Sequence, residues 1–434
     1  MTHIEYIYGC FKKSNGITTD TRQCKEGMMF VALRGENFDG NCYAAEALEK
    51  GCSYVVVDNS DYADEANPKV ILVEDSLRLL QQLARYHRRQ LGTTIVGITG
   101  TNGKTTTKEL VATVLRCRYN ILYTQGNLNN HIGVPLTLLQ MNETHEMAIV
   151  EMGANHPGDI KELVEIAEPD YGVITNVGMA HLQGFGSLEG VIRTKGELYD
   201  HIRQTETCTI FLNNDNAYLK DIAGELTTVR YGQIEDKELT VYGELIACDP
   251  YLRFRWVING EAWDVSTQLI GSYNLDNALC AATIGTFFGV SPEEVSNALA
   301  SYMPTNNRSQ LTKTERNTLI VDAYNANPTS MRAALENFAR MEVAPKMVIL
   351  GDMKELGEAT ADAHQEVVDY LIECQFDEVW LVGTAFAATQ HGGVRVFVDA
   401  ENVKEELQKI PVEKKYILVK GSNSMKLSSL VPYL

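Results

Sequence analysis

Short apolar runs punctuated by glycine and polar clusters recur along the chain, and most of them are followed by a stretch with helical periodicity. In the first stretch MMFVAL at 28–33, SYVVVD at 53–58 and KVILVED at 69–75 predict strands. RGENFDG at 34–40 and a helical AAEALEKG ending at Gly51 join the first two, and Leu79, Leu80, Leu83 and Tyr86 mark one face of a helix after the third. These elements predict a small α/β unit over residues 1–90.

From 91 to 305 strands and helices alternate at the spacing of a mostly parallel sheet. TTIVGIT, EMAIVEMG at 146–153, YGVITNVG at 171–178 and CTIFLNND at 208–215 read as strands, with helices over 159–167 and 188–202. Residues 239–270 predict antiparallel hairpins, and NLDNALCAATIGTFFG at 274–289 returns to helix. In the last stretch, 306–434, TLIVDAY, KMVILGD, EVWLVG, VRVFVD and KKYILVKG predict five strands separated by helices. The fold class is therefore α/β in three domains: a small first domain, a central parallel-sheet domain and a Rossmann-like third domain. The third has no G-x-G-x-x-G run, so it is not read as a dinucleotide site.

The richest chemistry sits where TTIVGIT breaks into Gly100, Thr101, Asn102 and Gly103 and a helix opens with Lys104, Thr105 and Thr106. The first amides of a helix have no intrahelical partner and its dipole favours negative charge, so the loop from Thr99 onward can cradle phosphates. Lys104 then reaches the outer phosphates, and the Thr105 hydroxyl can bind Mg²⁺. In the common G-x-x-x-x-G-K-[ST] spacing the first glycine would fall on position 98, which is Ile98; the compact G-T-N-G-K-T form remains. This is the signature of a nucleotide triphosphate handler.

At 434 residues the chain suits two or three domains of about 100–200 residues each. No run of about 18 apolar residues and no signal-peptide core are present, which predicts a cytoplasmic protein without membrane insertion. Nine scattered cysteines with no C-x-x-C pair read as free thiols. A net charge of −19 argues against a nucleic-acid partner but leaves a local basic pocket for anions open.

Six further positions invite a reading. Glu151, at the end of the strand AIVE, suits Mg²⁺ or is a solvent-facing strand end. His181, read as closing the segment VITNVGMAH, is either a metal or phosphate ligand or a structural imidazole. Arg308, between the second and third units, can reach a γ-phosphate or form a structural salt bridge. In DAYNANPTSM, Asp322, Asn325 and Asn327 are either turn and cap residues for a helix near Pro328 or contacts for ribose or base.

Taken in order, TGTNGKTTT at 99–107, GNLNNHIGVPLTLL at 126–139, EMGANHPGDI at 151–160, AHLQGFGSLEGVIRTKGE at 180–197, DAYNANPTSM at 322–331 and GDMKELGE at 351–358 resemble the Mur ligases, and among them the MurF type. The resemblance spans the whole chain. It implies ATP-dependent ligation of D-alanyl-D-alanine to UDP-N-acetylmuramoyl-tripeptide through an acyl phosphate, in the synthesis of the peptidoglycan precursor. It implies that Lys104 and the loop bind ATP, that Thr105 and Glu151 hold Mg²⁺ with His181 near a second metal, and that Lys195 is carbamylated to serve as a further ligand. It implies that Asn277 contacts adenine, Arg308 the γ-phosphate, and Asp322, Tyr324 and Asn325 the nucleotide from the third domain. Thr21, Arg22, Phe38, Asp39 and Gly40 then hold the UDP of the substrate, with Asn129 and Asn130 facing the same substrate. Asp352 and Glu355 are the candidates for the dipeptide. A monomer is expected.

Two departures are visible: Asp20, Thr21, Arg22 stands where the family often has D-S-R, and the third domain lacks D-N-P-R. Two rivals are weaker. Folylpolyglutamate synthase usually carries G-K-G-S, against Gly103, Lys104, Thr105 and Thr106 here; a non-catalytic nucleotide switch would call for a base-reading N-K-x-D motif, which the chain lacks.

Overall fold

Alternation of β-formers with amphipathic stretches resolves into three sheets and one two-stranded ribbon in the computed structural model, which describes residues 2–64, 66–304 and 310–434. The first sheet has four parallel strands in the order Ile17–Thr18, Met29–Val31, Tyr54–Val57, Val70–Leu72. RGENFDG, expected as a connection, folds into the ribbon of Arg34–Gly35 against Phe38–Asp39. Gly40 closes it where a Cβ would lie 2.5 Å from the Leu33 carbonyl oxygen.

The central sheet has nine strands. Thr94–Thr99 lies between Tyr171–Ile174 and Met147–Glu151, all parallel, and the hairpins Val241–Cys248, Tyr251–Ile258 and Glu261–Ile270 extend one edge antiparallel. Helices fall at Asp159–Ala167 and Leu188–Ile202, the bounds the periodicity predicts. The third sheet has six strands, one more than the five expected. The addition is Gln310–Lys313, antiparallel to Thr318–Asp322, whose polar residues carry little apolar signal.

The helix Ser76–Leu91 ties the first unit to the second. Asp75 caps it and Gly92 ends it at φ +64°. Leu79, Leu80, Leu83 and Ala84 on one face join a core that runs from Ile7 to Leu226 across both units. Arg88, one turn after Ala84, donates to the Glu168 carbonyl at 2.7 Å and pairs with Asp170 at 3.0 Å. All nine cysteines are free thiols, and among the described residues no helix is long and apolar enough to cross a membrane.

Candidate active site

Parallel register brings the key groups to one sheet edge. Ile98 pairs with Glu151 and Thr99 with Ile174, so the loop after Thr99, the Glu151 carboxylate and the segment after Ile174 emerge side by side at the strands' C-terminal ends, where ligands bind in such sheets. Gly100 takes φ +146°, and a Cβ there would lie 2.0 Å from the Thr175 hydroxyl. Gly103 takes φ +79° as the cap of the helix Lys104–Leu115, where a Cβ would come within 2.5 Å of Asn277 Oδ1. Glycine is what lets the loop lie this close to its neighbours.

The loop is braced from behind. Thr101 and Asn102 N–H donate to the carbonyl and side-chain oxygens of Asn176, each at 2.9 Å, and Thr175 Oγ1 donates to the Asn102 carbonyl at 2.6 Å. Lys104 Nζ folds over the loop onto the Gly100 and Thr101 carbonyls at 2.6 and 3.0 Å.

Glu151 is 1% exposed. Its Oε1 accepts from Thr105 Oγ1 at 3.1 Å and from Asn129 Nδ2 at 2.8 Å, while the buried Oε2 has no hydrogen-bond partner and lies 3.6 Å from the fully buried ammonium of Lys108. A carboxylate with an unsatisfied buried oxygen, beside the Thr105 hydroxyl, is a hard-oxygen donor pair that fits Mg²⁺.

His181 does not end a strand. The strand stops at Ile174, and His181 sits beyond it at φ +51°, capping the short helix Leu182–Phe185. The turn-forming Thr175, Asn176 and Gly178 brace the phosphate loop instead of continuing the pleat. The His181 ring pairs with Glu355 of the third unit. Burial holds its pKa down, opposed by Glu355 and reinforced by Lys104 and Lys195.

Lys195 is 2% exposed on Leu188–Ile202, with its nitrogen 5.5 Å from the Phe185 ring centroid. Burial, reinforced by Lys104, pushes its pKa well below the usual lysine value, against the pull of Asp159 and Glu197. Glu197 accepts from the Gly158 and Lys161 amides at 2.9 and 2.8 Å, so it also caps the helix Asp159–Ala167.

A cavity of about 750 Å³ opens over these groups, walled by both the second and third units. Residues 101–106, Asn129, Asn130, Glu151, His181, Asn277, Asp322, Tyr324 and Asn325 line it. Thr99, Gly100 and Lys195 do not reach its surface. Arg308 lies outside the described residues. Thr21, Arg22, Phe38, Asp39 and Gly40 do not line it and sit on the first unit; Arg22 forks onto Asp20 at 2.7 Å, and Phe38 is 59% exposed. Asn277 is held by Thr107 Oγ1 at 3.0 Å and Asn274 at 2.8 Å, and Asn130 Oδ1 accepts from the Gly133 amide at 2.8 Å.

Two contacts at the cavity escape a linear reading. Lys420 pairs with Asp322 because parallel register sets the two residues side by side, and Asn327 Nδ2 reaches Asn102 Oδ1 at 2.8 Å, joining the third unit to the loop. Only the sheet order and the docking of the units reveal either one.

A phosphate-type loop on a parallel sheet, facing a cavity closed by a second α/β unit, defines a nucleotide-dependent α/β protein that works between two units. Three family models match in order: Mur ligase family, catalytic domain, over residues 13–88; Mur ligase middle domain over 98–285; and Mur ligase, glutamate ligase domain, over 307–423. The chain is 34% identical, over 96% of its length and 92% of the relative's, to UDP-N-acetylmuramoyl-tripeptide--D-alanyl-D-alanine ligase of Bacillus subtilis. It is 33% identical to the enzyme of that name from Escherichia coli, over 96% of this chain and 93% of the relative. A crystal structure of MurF from Acinetobacter baumannii superposes with a TM-score of 0.87 at 27% identity, covering 99% of this chain and 97% of that one. The chain belongs to the Mur ligase family.

Proposed function

We propose that this chain ligates D-alanyl-D-alanine to UDP-N-acetylmuramoyl-tripeptide at the expense of ATP, giving the pentapeptide precursor of peptidoglycan with ADP and phosphate. The observation that carries the reading is the loop of residues 100–105 beside Glu151, facing a cavity walled by two units, in a chain matched along 96% of its length by ligases of that name.

A carboxylate is a poor electrophile, so the tripeptide carboxylate first attacks the γ-phosphorus of ATP and releases ADP. The amine of the dipeptide then attacks the acyl phosphate carbon, the C–N bond forms and phosphate leaves. Such transfer rests on placement and charge neutralisation. The amides of the loop, Lys104 and Arg308 hold the phosphates, and Asn277, Asp322, Tyr324 and Asn325 hold the rest of the nucleotide. Thr105 and Glu151 would hold Mg²⁺, and His181 and carbamylated Lys195 would serve a second ion. Bound Mg²⁺ neutralises charge on the transferring phosphoryl group.

Lys195 suits carbamylation because burial pushes its pKa well down and so favours the uncharged, nucleophilic amine: its nitrogen bonds to CO₂, a proton leaves, and a carboxylate-like ligand results. Thr21, Arg22 and the ribbon of Phe38, Asp39 and Gly40 hold the uridine diphosphate, and Asn129 and Asn130 face the same substrate. One chain carries every group named, which supports a monomer, and free thiols support a cytoplasmic setting.

The test is to mix protein, ATP, Mg²⁺, UDP-N-acetylmuramoyl-tripeptide and D-alanyl-D-alanine and to follow phosphate and product mass. ADP appearing in step with a pentapeptide product is expected. Product formation only with a different acceptor would overturn the reading.

A further inference from the structure

We infer that Lys108 is the built-in countercharge of Glu151: it stands in for the metal between turnovers and holds the affinity for free Mg²⁺ low, so that the ion enters and leaves with the nucleotide. This deepens the reading of Glu151 as a Mg²⁺ ligand and rests on it. Lys108 is a positioning residue that acts through Glu151, and no step of the ligation passes through it.

A buried amine needs a reason. Lys108 lies on the helix Lys104–Leu115, one turn beyond Lys104, and its side chain is fully buried. An ammonium can donate three hydrogen bonds, yet among the described residues Nζ makes none. It lies 3.2 Å from Glu109 Oε1 and 3.6 Å from Glu151 Oε2 without the geometry of a hydrogen bond to either, and 5.6 Å from the centroid of the Tyr123 ring. A charge taken out of water without hydrogen bonds is less favourable there than an apolar side chain of similar length, so packing of the helix does not account for the residue. Its charge does.

Glu151 spends Oε1 on Thr105 and Asn129 and leaves Oε2, the oxygen nearest Lys108, without a hydrogen bond. Two fully buried groups of opposite charge, neither of them hydrogen-bonded at the facing atom, thus stand 3.6 Å apart. At that separation the ammonium neutralises the carboxylate without tying it down, and Oε2 can turn to a cation with no hydrogen bond to break. Thr105 and Lys108, three residues apart on one helix, serve the two oxygens of one carboxylate. Glu109 has less need of a countercharge, because its side chain is 17% exposed and water reaches it. The arrangement works against a bare dication. An ion beside Glu151 also sits close to Lys108, with Lys104 folded over the same loop, and the negative charge of a bound triphosphate is what offsets that repulsion.

The test titrates Mn²⁺ into the protein with and without ADP, counting free ion by its electron paramagnetic resonance signal, and reads melting temperatures with and without Mg²⁺. Lys108→Met is expected to bind Mn²⁺ alone at least about tenfold more tightly than wild type, because one like charge has gone from the edge of the site. Without metal its melting temperature is expected to fall by about 5 °C or more, since Glu151 is left buried and unpaired, and Mg²⁺ alone is expected to restore part of the loss; wild-type protein gains about 1 °C or less from Mg²⁺ alone. Lys108→Met/Glu151→Gln removes the lone charge, so it is expected to melt above Lys108→Met and to lose the tighter Mn²⁺ binding. If Lys108→Met does not fold, the double variant is still expected to, and failure of both would overturn the inference. A lowered melting temperature with unchanged Mn²⁺ affinity would show that Lys108 only packs, and a melting temperature that does not fall would show that it does not balance Glu151; either result overturns the inference. If Glu151→Gln with ADP binds Mn²⁺ as wild type does, the metal reading itself falls and takes the inference with it.

Discussion

Lys195 places an amine where water does not reach, and its low pKa has consequences for both stability and chemistry. A lysine whose folded pKa lies below the ordinary 10.5 binds fewer protons in the native state than in the unfolded chain across the window between the two values, so stability rises with pH there and falls as pH drops. Lys195→Met, which keeps the apolar stem, is expected to gain about 1–2 kcal/mol at neutral pH and to flatten that pH dependence, as read by chemical denaturation at several pH values. An unaltered slope would mean that other groups set it. Lys195→Ala is expected to lose at least about 100-fold in ligation and to regain part of it with added short carboxylic acids, which can occupy the space of the carbamate; a fully active variant would remove the proposed role. None of this is visible in VIRTKGELYD, where the lysine reads as one more polar helical position. Its nitrogen lies 5.5 Å from the ring of Phe185, on a separate short helix.

At the scale of the element, the strand, loop and helix around Thr99–Thr105 behave as a unit, and this part was legible in full. β-formers, glycines and a lysine at a helix start carry their own local geometry, and the structure keeps each in place. Gly100→Ala would force a Cβ into the Thr175 hydroxyl. The expected outcome is a loss of about 1–3 kcal/mol in stability and at least about a tenfold rise in the KM for ATP, with the KM for the dipeptide little changed. Near-normal ATP affinity would show that the loop tolerates repositioning. His181 was less legible. Its chain neighbours suggest a continued strand, yet Thr175 and Asn176 are drawn off the sheet to bond the loop, and that competition is tertiary.

Across the whole molecule, the first and second units are separate sheets with a shared core. Leu80, fully buried on Ser76–Leu91, belongs to the apolar cluster that spans both. Leu80→Ala is expected to cost about 2–5 kcal/mol and to raise hydrogen exchange in the strands of both units together. Exchange rising in residues 2–72 alone would show that the units open independently. The third unit instead meets the second through polar contacts, Asn327 with Asn102 and Glu355 with His181. Contacts of this kind permit closure over substrates, and small-angle scattering is expected to show a smaller radius of gyration with an ATP analogue and the UDP substrate bound.

Local chemistry alone determined the three α/β units, the phosphate loop and the acidic strand end at Glu151, because periodicity, glycine and helix starts act over a few residues. Sheet order decided that Glu151 lies beside the loop and that Lys420 faces Asp322. Packing of distant helices decided that Lys195 is buried and its pKa pushed down. The docking of the third unit decided that Glu355 of GDMKELGE meets His181. Those outcomes depend on contacts between residues far apart in the chain, and no window of sequence contains both partners.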